Sequence, residues 1–443
     1  MARIAVVGAG IVGVASAYLL CKAGHDVTLV DRHSGPAQGA SRANGAQLSY
    51  AYGDALATPS MLGHLPAIVL GRDPAYRVRL NTDPEFLVWG LRFLGNCLPG
   101  RFLANTQHLL QMAARTSLLL KDLLDEFDLP FDYTVAGKMI LYPSIAACEK
   151  SAAVQALKRS LGLQQDILTR SEATAIEPAL DLYPDEIGRV LYNADDAAGR
   201  PDAFAAALIE RLKEAYGLRT VFGHPVQSIL DSGGSIRGLA FASREPLECD
   251  LVVVASGSPP DFLPWRDRGF GSVWPVQGYS ITARATPAAM RTSLTDVRRK
   301  IVFARIGDEV RAAGLADIGP RDFRFDGARF DTFRTAATTA FGGAFEQEAN
   351  GAGLQPWSGA RPCAPSSRPI IRQGSLNGLY LNLGHGTLGW TLSLGSASRL
   401  VDIIQPATSF ASVSKNQREC RNPEIHDPAA NPSCAQSVSA PKP

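Results

Sequence analysis

Ile4-Ala5-Val6-Val7-Gly8-Ala9-Gly10-Ile11-Val12-Gly13, followed by a helical run to Gly24 and then Val27-Thr28-Leu29-Val30-Asp31, reads as strand, glycine turn, helix, strand. Each glycine has a mechanical job: Gly8 permits the tight turn, Gly10 lets backbone approach a pyrophosphate, and Gly13 lets the helix pack closely on the strand. Free backbone N–H groups at the helix start would seat the diphosphate. Asp31 ends the second strand, where its carboxylate can accept hydrogen bonds from the ribose 2′- and 3′-hydroxyls, and its charge disfavours a 2′-phosphate. Arg32 directly follows it and joins the candidate set. The pattern predicts a dinucleotide-binding unit.

Outward from this unit, the bulk properties narrow the options. A chain of 443 residues exceeds one ordinary core, so more than one domain is expected. Lys plus Arg number 44 against 42 for Asp plus Glu, and no basic run stands out, which argues against a nucleic-acid partner. The cysteines Cys21, Cys97, Cys148, Cys249, Cys363, Cys420 and Cys434 form no C-x-x-C pair, so free thiols are expected rather than disulfides or a metal site. The first strand follows Met1 too closely for a secretory signal, and a cytoplasmic start is expected. No apolar run reaches the roughly 20 residues of a membrane span. Phe86 to Leu94, with Trp89 and Arg92, reads as an amphipathic helix docked on the protein; the alternative is shallow attachment to the inner face of the plasma membrane.

Further along, Thr106 to Phe127 has helical periodicity and Gly137 to Tyr142 looks like a strand. Between Gly199 and Gly257 the strand and helix grammar resumes: a helix from Pro201 to Tyr216, short strands at Thr220 to Phe222 and Val226 to Leu230, and a buried run from Cys249 to Gly257. Val273 to about Phe345 alternates as a sheet would. The chain is expected to return to the first domain near Trp357, where Leu379 to Leu383 leads into Gly384-His385-Gly386-Thr387-Leu388-Gly389 and a helix to Ile404. Beyond Gln405 the composition predicts disorder.

The first glycine segment, Ala40 to Ser49, Pro275-Val276-Gln277-Gly278-Tyr279-Ser280, Trp357-Ser358-Gly359-Ala360-Arg361-Pro362 and Gly384 to Thr391 together resemble the small-subunit type of FAD-dependent D-amino acid dehydrogenase, within the D-amino acid oxidase-like flavoproteins. The likeness spans roughly residues 3 to 405. It implies an α/β fold in which a discontinuous Rossmann-like FAD-binding domain (1–50, 191–262, 356–405) interleaves with an α+β substrate domain on a mixed sheet (51–190, 263–355), with 406–443 as a disordered tail. FAD would be held noncovalently, its adenosine at Gly8, Gly10, Gly13 and Asp31, its pyrophosphate near Ser41 and Asn44, its adenine edge at Val226, and its isoalloxazine beside Gly384 to Leu388. Ala9, Ile11, Val12, Gly45, Gly257, Gly386 and Thr387 complete the expected contacts. Two departures from the family pattern bear on substrate choice: Asn44-Gly45-Ala46-Gln47 transposes a small pair, and Pro365-Ser366-Ser367-Arg368 stands where Pro-Asp-Gly is usual.

The implied reaction moves a hydride from an amino-acid α-carbon to flavin N5 and then to a non-NAD acceptor such as a quinone. The protein's task is then orientation, and arginine suits carboxylate capture because its planar fork forms two parallel hydrogen bonds. Arg368 is favoured, with Arg311 next, while Arg361 would tie the cofactor domain together. Tyr279 offers a hydroxyl to the carboxylate, His385 a possible general base, and Tyr50 and Tyr52 possible pocket walls. Two rival readings stand beside this one: an amine or imino-acid dehydrogenase acting on D-hydroxyproline, sarcosine or glycine, and a non-catalytic flavin-binding subunit of a larger complex. An NAD enzyme would leave the second glycine cluster unexplained.

Overall fold

The computed structural model describes residues 1–322, 324–346 and 353–405. The expected disordered tail lies outside the described residues. Arg3–Val7 is buried from Ile4 onward, as suits a parallel strand covered on both faces. It pairs in parallel with Asp26–Asp31 on one side and Leu251–Val254 on the other. Arg219–Phe222 extends the sheet beyond the first of these and Leu379–Leu383 beyond the second, both parallel, with Ile370–Gln373 as an antiparallel edge. The five parallel strands therefore end on one edge.

A larger sheet orders its strands as Gln355–Cys363, Trp274–Arg284, Glu309–Ile318, Ile301–Ile306, Ser293–Asp296, Lys138–Tyr142, Arg189–Asn193 and Asp166–Leu168, with Tyr76–Val78 joined to Glu309–Ile318. It is mixed, because Ser293–Asp296 runs parallel to Lys138–Tyr142 while its other neighbour is antiparallel. Side chains alternate between faces with period two. Tyr279, Ile281 and Phe303 bury themselves with Phe330, Phe333 and Phe341 of the helix Gly327–Phe341. The opposite face meets the segment that follows the first glycine turn. A bulge sets Gln277 against Asp317 but Tyr279 against Gly314, with Leu315 at φ 57°.

Both sheets belong to one compact unit, Met1–Ile403. The expected return to the first sheet near Trp357 is corrected: Gln355–Cys363 is the edge strand of the larger sheet, and the first sheet resumes at Ile370. Pro356 and Pro362 explain the position, since a residue without an N–H is tolerated at a sheet edge. Pro84–Asn96 is the amphipathic helix read from the sequence, burying Phe86, Trp89 and Phe93.

Candidate active site

Shared strand direction brings distant turns together. The Gly384 N–H donates to Gly257 O at 2.9 Å, and a Cβ on Gly8 would lie 2.6 Å from Ala255 O. The turns at the start and near the finish of the chain thus flank a third turn on one sheet edge. Gly8 sits at φ 111°, and a Cβ on Gly13 would collide with the Gly8 carbonyl. Over Gly10 the nearest heavy atom beyond its chain neighbours is Ser41 Oγ at 3.5 Å, so that surface is open to a ligand. Ser41 Oγ itself accepts the Ile11 N–H at 3.1 Å.

At the far end of this edge, Asp31 accepts from the N–H groups of Ala9 at 2.7 Å and His33 at 2.8 Å and contacts His33 Nδ1 at 3.0 Å. An ionised carboxylate has about four acceptor positions, so it keeps capacity for a ribose hydroxyl. Gly223 N–H to His33 O at 2.7 Å brings the start of the strand Val226–Ser232 beside it. Arg32 is exposed, whereas Gly386, Thr387 and Leu388 form a turn with no buried residue. These residues fit an extended dinucleotide running from Asp31 to Gly384–Leu388.

Between the two sheets the segment Ala43 to Ser49 is stitched across strand after strand. Ser280 Oγ donates to Ala43 O at 2.7 Å, and Arg311 Nη1 to Asn44 O at 3.4 Å. Gln47 Nε2 donates to Phe303 O at 2.8 Å and Leu294 O at 3.3 Å. Lys138 Nζ closes the seam on Ser49 Oγ at 2.7 Å and Gln47 Oε1 at 2.8 Å. Gly45 packs closely here: a Cβ would sit 3.0 Å from Val302 Cγ2, which would have to shift. The transposed pair has a local answer: Ala46 takes the positive φ of 57° while its N–H binds Asn44 Oδ1 at 2.9 Å. From the other side Thr391, in the first turn of Gly389–Ile404, accepts the Ser49 N–H at 3.2 Å.

Arg361 lies on the same face of the larger sheet. Its guanidinium crosses Gly278, where any Cβ would strike it, and donates to Leu315 O at 2.6 Å and Gly314 O at 3.2 Å. The bulge supplies these carbonyls. No described carboxylate lies within salt-bridge distance; its hydrogen bonds among the described residues go to neutral carbonyls, and Asp317 is a more distant charge. Burial lowers the Arg361 pKa although part of its surface stays accessible. Tyr52 and Tyr76 combine the same two properties, burial raising both hydroxyls. A desolvated guanidinium that keeps donors beyond these two carbonyls has the geometry to receive a carboxylate.

Three expectations are corrected. Arg368 is exposed: Ser367, at φ 64°, turns its Oγ inward to accept the Leu56 N–H at 2.9 Å, and the next residue points out. Tyr279 faces the helix Gly327–Phe341, its ring 6.0 Å from Phe325, because alternation puts it on the face opposite Gly278 and Ser280. His385 is buried against Ser396 Oγ at 2.9 Å, and burial lowers its pKa to about 3. It is a neutral tie between the glycine turn and the next helix. Arg311 is buried but serves the seam, donating from Nε to Thr282 Oγ1 at 2.9 Å. Tyr50 is buried, with its N–H on Asp196 Oδ1 at 2.8 Å. Burial pushes the Cys363 thiol up to about 12, which disfavours its thiolate.

His385 also sets a pH dependence. Unfolded, it takes up a proton below about pH 6.5, whereas folded it resists down to about pH 3. Stability therefore falls as pH drops through that window, by up to about 1.4 kcal/mol per pH unit. His385→Gln should flatten the acid limb of a thermal-unfolding series between pH 7 and 4. Parallel curves for the two proteins would place a proton on the folded histidine instead.

Sequence reasoning missed Lys138, which is 3% exposed and pushed down to about 8 by burial. It also missed Asp196, raised to about 6 by burial. For Lys138 the available signal was a charge at an inward position of an apolar strand; Asp196 lies between the strands Arg189–Asn193 and Ala197–Ala198 and gave none.

A family model described as FAD dependent oxidoreductase matches residues 3–403. D-amino acid dehydrogenase 2 of Ralstonia nicotianae is 37% identical over 409 residues, covering 91% of this chain and 96% of that relative. D-amino acid dehydrogenase of Paramagnetospirillum magneticum is 36% identical over 420 residues, covering 93% and 97%. Among solved structures, glycine oxidase from Geobacillus kaustophilus shares the fold with a TM-score of 0.66 at 19% identity, over 91% of this chain and 95% of that one.

Proposed function

The chain belongs to the FAD dependent oxidoreductase family, and we propose that it oxidises D-amino acids to imino acids, with Arg361 anchoring the substrate carboxylate. The relatives named D-amino acid dehydrogenase, at 37% and 36% identity, support the substrate class. The observation that carries the reading is an enclosed arginine whose hydrogen bonds among the described residues go to two carbonyls, with no described carboxylate within salt-bridge distance. When bound, FAD supplies the acceptor for the hydride leaving the substrate α-carbon.

The chain's own residues do the positioning. Leu315 O and Gly314 O fix the plane of the guanidinium, so two parallel hydrogen bonds can orient a carboxylate. The loop 49–58 is fastened by Ala55 N–H to Thr106 Oγ1 at 3.1 Å and by Leu56 N–H to Ser367 Oγ at 2.9 Å. In this reading the tethered loop keeps water from the substrate and helps hold the α-hydrogen in one orientation. The start of Gly389–Ile404 directs the positive end of a helix toward the turn Gly384 to Leu388.

The acceptor in this reading is a quinone at a membrane surface. Leu87 and Leu91 are 51% and 72% exposed, and Phe270 and Trp265 are 54% and 77% exposed. Arg92 Nη1 ties this patch together through Phe270 O at 2.7 Å, and Arg266 stacks over Trp265 at 5.4 Å. Apolar and aromatic side chains interleaved with arginine suit a bilayer interface. No described helix is long and apolar enough to cross a membrane.

One anaerobic experiment tests the whole. D-amino acids should bleach the flavin band; a soluble quinone should restore it faster than oxygen, and vesicles should sediment the protein. An unchanged spectrum across D-amino acids, with bleaching by sarcosine, glycine or D-hydroxyproline, would move the enzyme to amine substrates.

A further inference from the structure

Resting on the placement of the flavin ring beside Gly384 to Leu388, we propose that Asn382 is a positioning residue. One buried polar chain runs through it from the first glycine turn to the second, holds the two ends of the FAD seat in register, and raises the reduction potential of the bound flavin. The chain starts at Val12, in the first turn of Ile11–Lys22, whose carbonyl accepts from Ser16 Oγ at 2.7 Å. Asn382, on the strand Leu379–Leu383, donates from Nδ2 to Ser16 Oγ at 3.2 Å and to Ser396 Oγ, on Gly389–Ile404, at 3.4 Å. Ser396 Oγ also meets His385 Nε2 at 2.9 Å, and His385 stands inside the second glycine turn. Ser16, Asn382 and Ser396 are fully buried and His385 nearly so, which keeps bulk water from these bonds.

Donor accounting fixes the protons. The hydroxyl of Ser16 is spent on Val12 O and that of Ser396 on Ser393 O at 2.9 Å. Both oxygens therefore face Asn382 as acceptors, which orients its amide nitrogen toward them. Ser396 faces His385 as an acceptor too, so the proton of the neutral imidazole sits on Nε2. Reversing the amide would set its oxygen against two serine oxygens.

Asn382 is a weak stabiliser. Its Oδ1 is buried with no hydrogen-bond partner among the described residues, and an unpaired buried carbonyl costs about as much as two long neutral hydrogen bonds return. What the amide supplies is geometry, since it touches both helices at once.

That geometry matters at both ends. N–H groups at the start of Ile11–Lys22 seat the diphosphate, while the second turn and the start of Gly389–Ile404 direct positive charge at a ring that gains negative charge on reduction. The ties of this turn to the rest of the fold include Gly384 N–H on Gly257 O at 2.9 Å, the bridge of His385 to Cys363, and His385 on Ser396. Loosening the last of these lets the turn move relative to the diphosphate seat, and reduced flavin loses more by that than oxidised flavin.

The test is anaerobic redox titration of the holoenzyme against a reference dye. In Asn382→Leu the preference for reduced over oxidised FAD should fall about 10-fold, which lowers the two-electron midpoint potential by about 30 mV. Ser16→Ala should shift it in the same direction although Ser16 lies on the diphosphate helix, and the double variant should add nothing beyond Asn382→Leu. Val14→Ala, at a fully buried position of the same helix outside the chain, should lose stability and keep the wild-type potential. Gly386→Ala disturbs the turn directly, with φ at 58° and a Cβ 3.3 Å from Cys363 Sγ, and should lower the potential as well. A shift in Gly386→Ala with none in Asn382→Leu or Ser16→Ala, or an equal shift in Val14→Ala, overturns the inference. No shift in any variant overturns the placement of the ring beside this turn, and the inference with it.

Discussion

Arg361→Leu is expected to keep its flavin and lose reduction by D-amino acids, with kcat/KM falling about 1,000-fold, or roughly 4 kcal/mol. The size follows from what is removed: a desolvated charge whose hydrogen-bond partners among the described residues are Leu315 O and Gly314 O, and truncating one side of a buried charge pair typically costs about 2–5 kcal/mol. The loss should fall on both kcat and KM, because the carboxylate fixes the α-hydrogen as well as affinity. Arg361→Lys should recover little, since an ammonium cannot span both carbonyls and a planar carboxylate. Arg368→Leu, at an exposed position, should change kcat/KM by less than threefold. Stopped-flow reduction beside the flavin absorbance separates the cases. Full reduction by Arg361→Leu would remove the anchor, and a wild type that no substrate reduces would point to a flavin-holding subunit.

The parts of the site legible in the sequence were those with local constraints. Gly13 must be glycine because of the Gly8 carbonyl in the adjoining turn, and Gly8 because its own φ is 111°, so spacing alone exposed them, and the second glycine cluster, with Gly384 and Gly386 also at positive φ, yielded for the same reason. Choosing among arginines needed non-local facts. Arg361 points inward because Gly278, on the neighbouring strand, has no side chain and because a bulge in the next strand presents two carbonyls. Arg368 points outward because Ser367 takes a left-handed turn to reach Leu56. Alternation in Trp274–Arg284 separates odd from even residues but does not say which set meets the cofactor segment, and that left Tyr279 on the wrong face. His385 looked reactive because its partner, Ser396, comes from the second turn of the following helix.

Gly13→Val should purify colourless, with its Kd for FAD raised at least 100-fold and its far-UV spectrum little changed. A side chain at this position meets the Gly8 carbonyl, and Gly8 has no slack, being held at φ 111° with its N–H on Val30 O at 2.7 Å. The helix Ile11–Lys22 must therefore lift from the strand, carrying away the N–H groups that face the diphosphate. The rest of the sheet is untouched, because Arg3–Val7 keeps both parallel neighbours. Gly24→Ala is the matched control: Gly24 also has positive φ, 84°, but nothing lies within 4 Å of its Cβ position. That substitution should cost about 1–2 kcal/mol of stability and leave FAD affinity within a fewfold of wild type. Equal loss of FAD in both variants would mean that general destabilisation, rather than the seat at Gly8 to Gly13, governs cofactor retention. Unchanged affinity in Gly13→Val would remove that seat altogether.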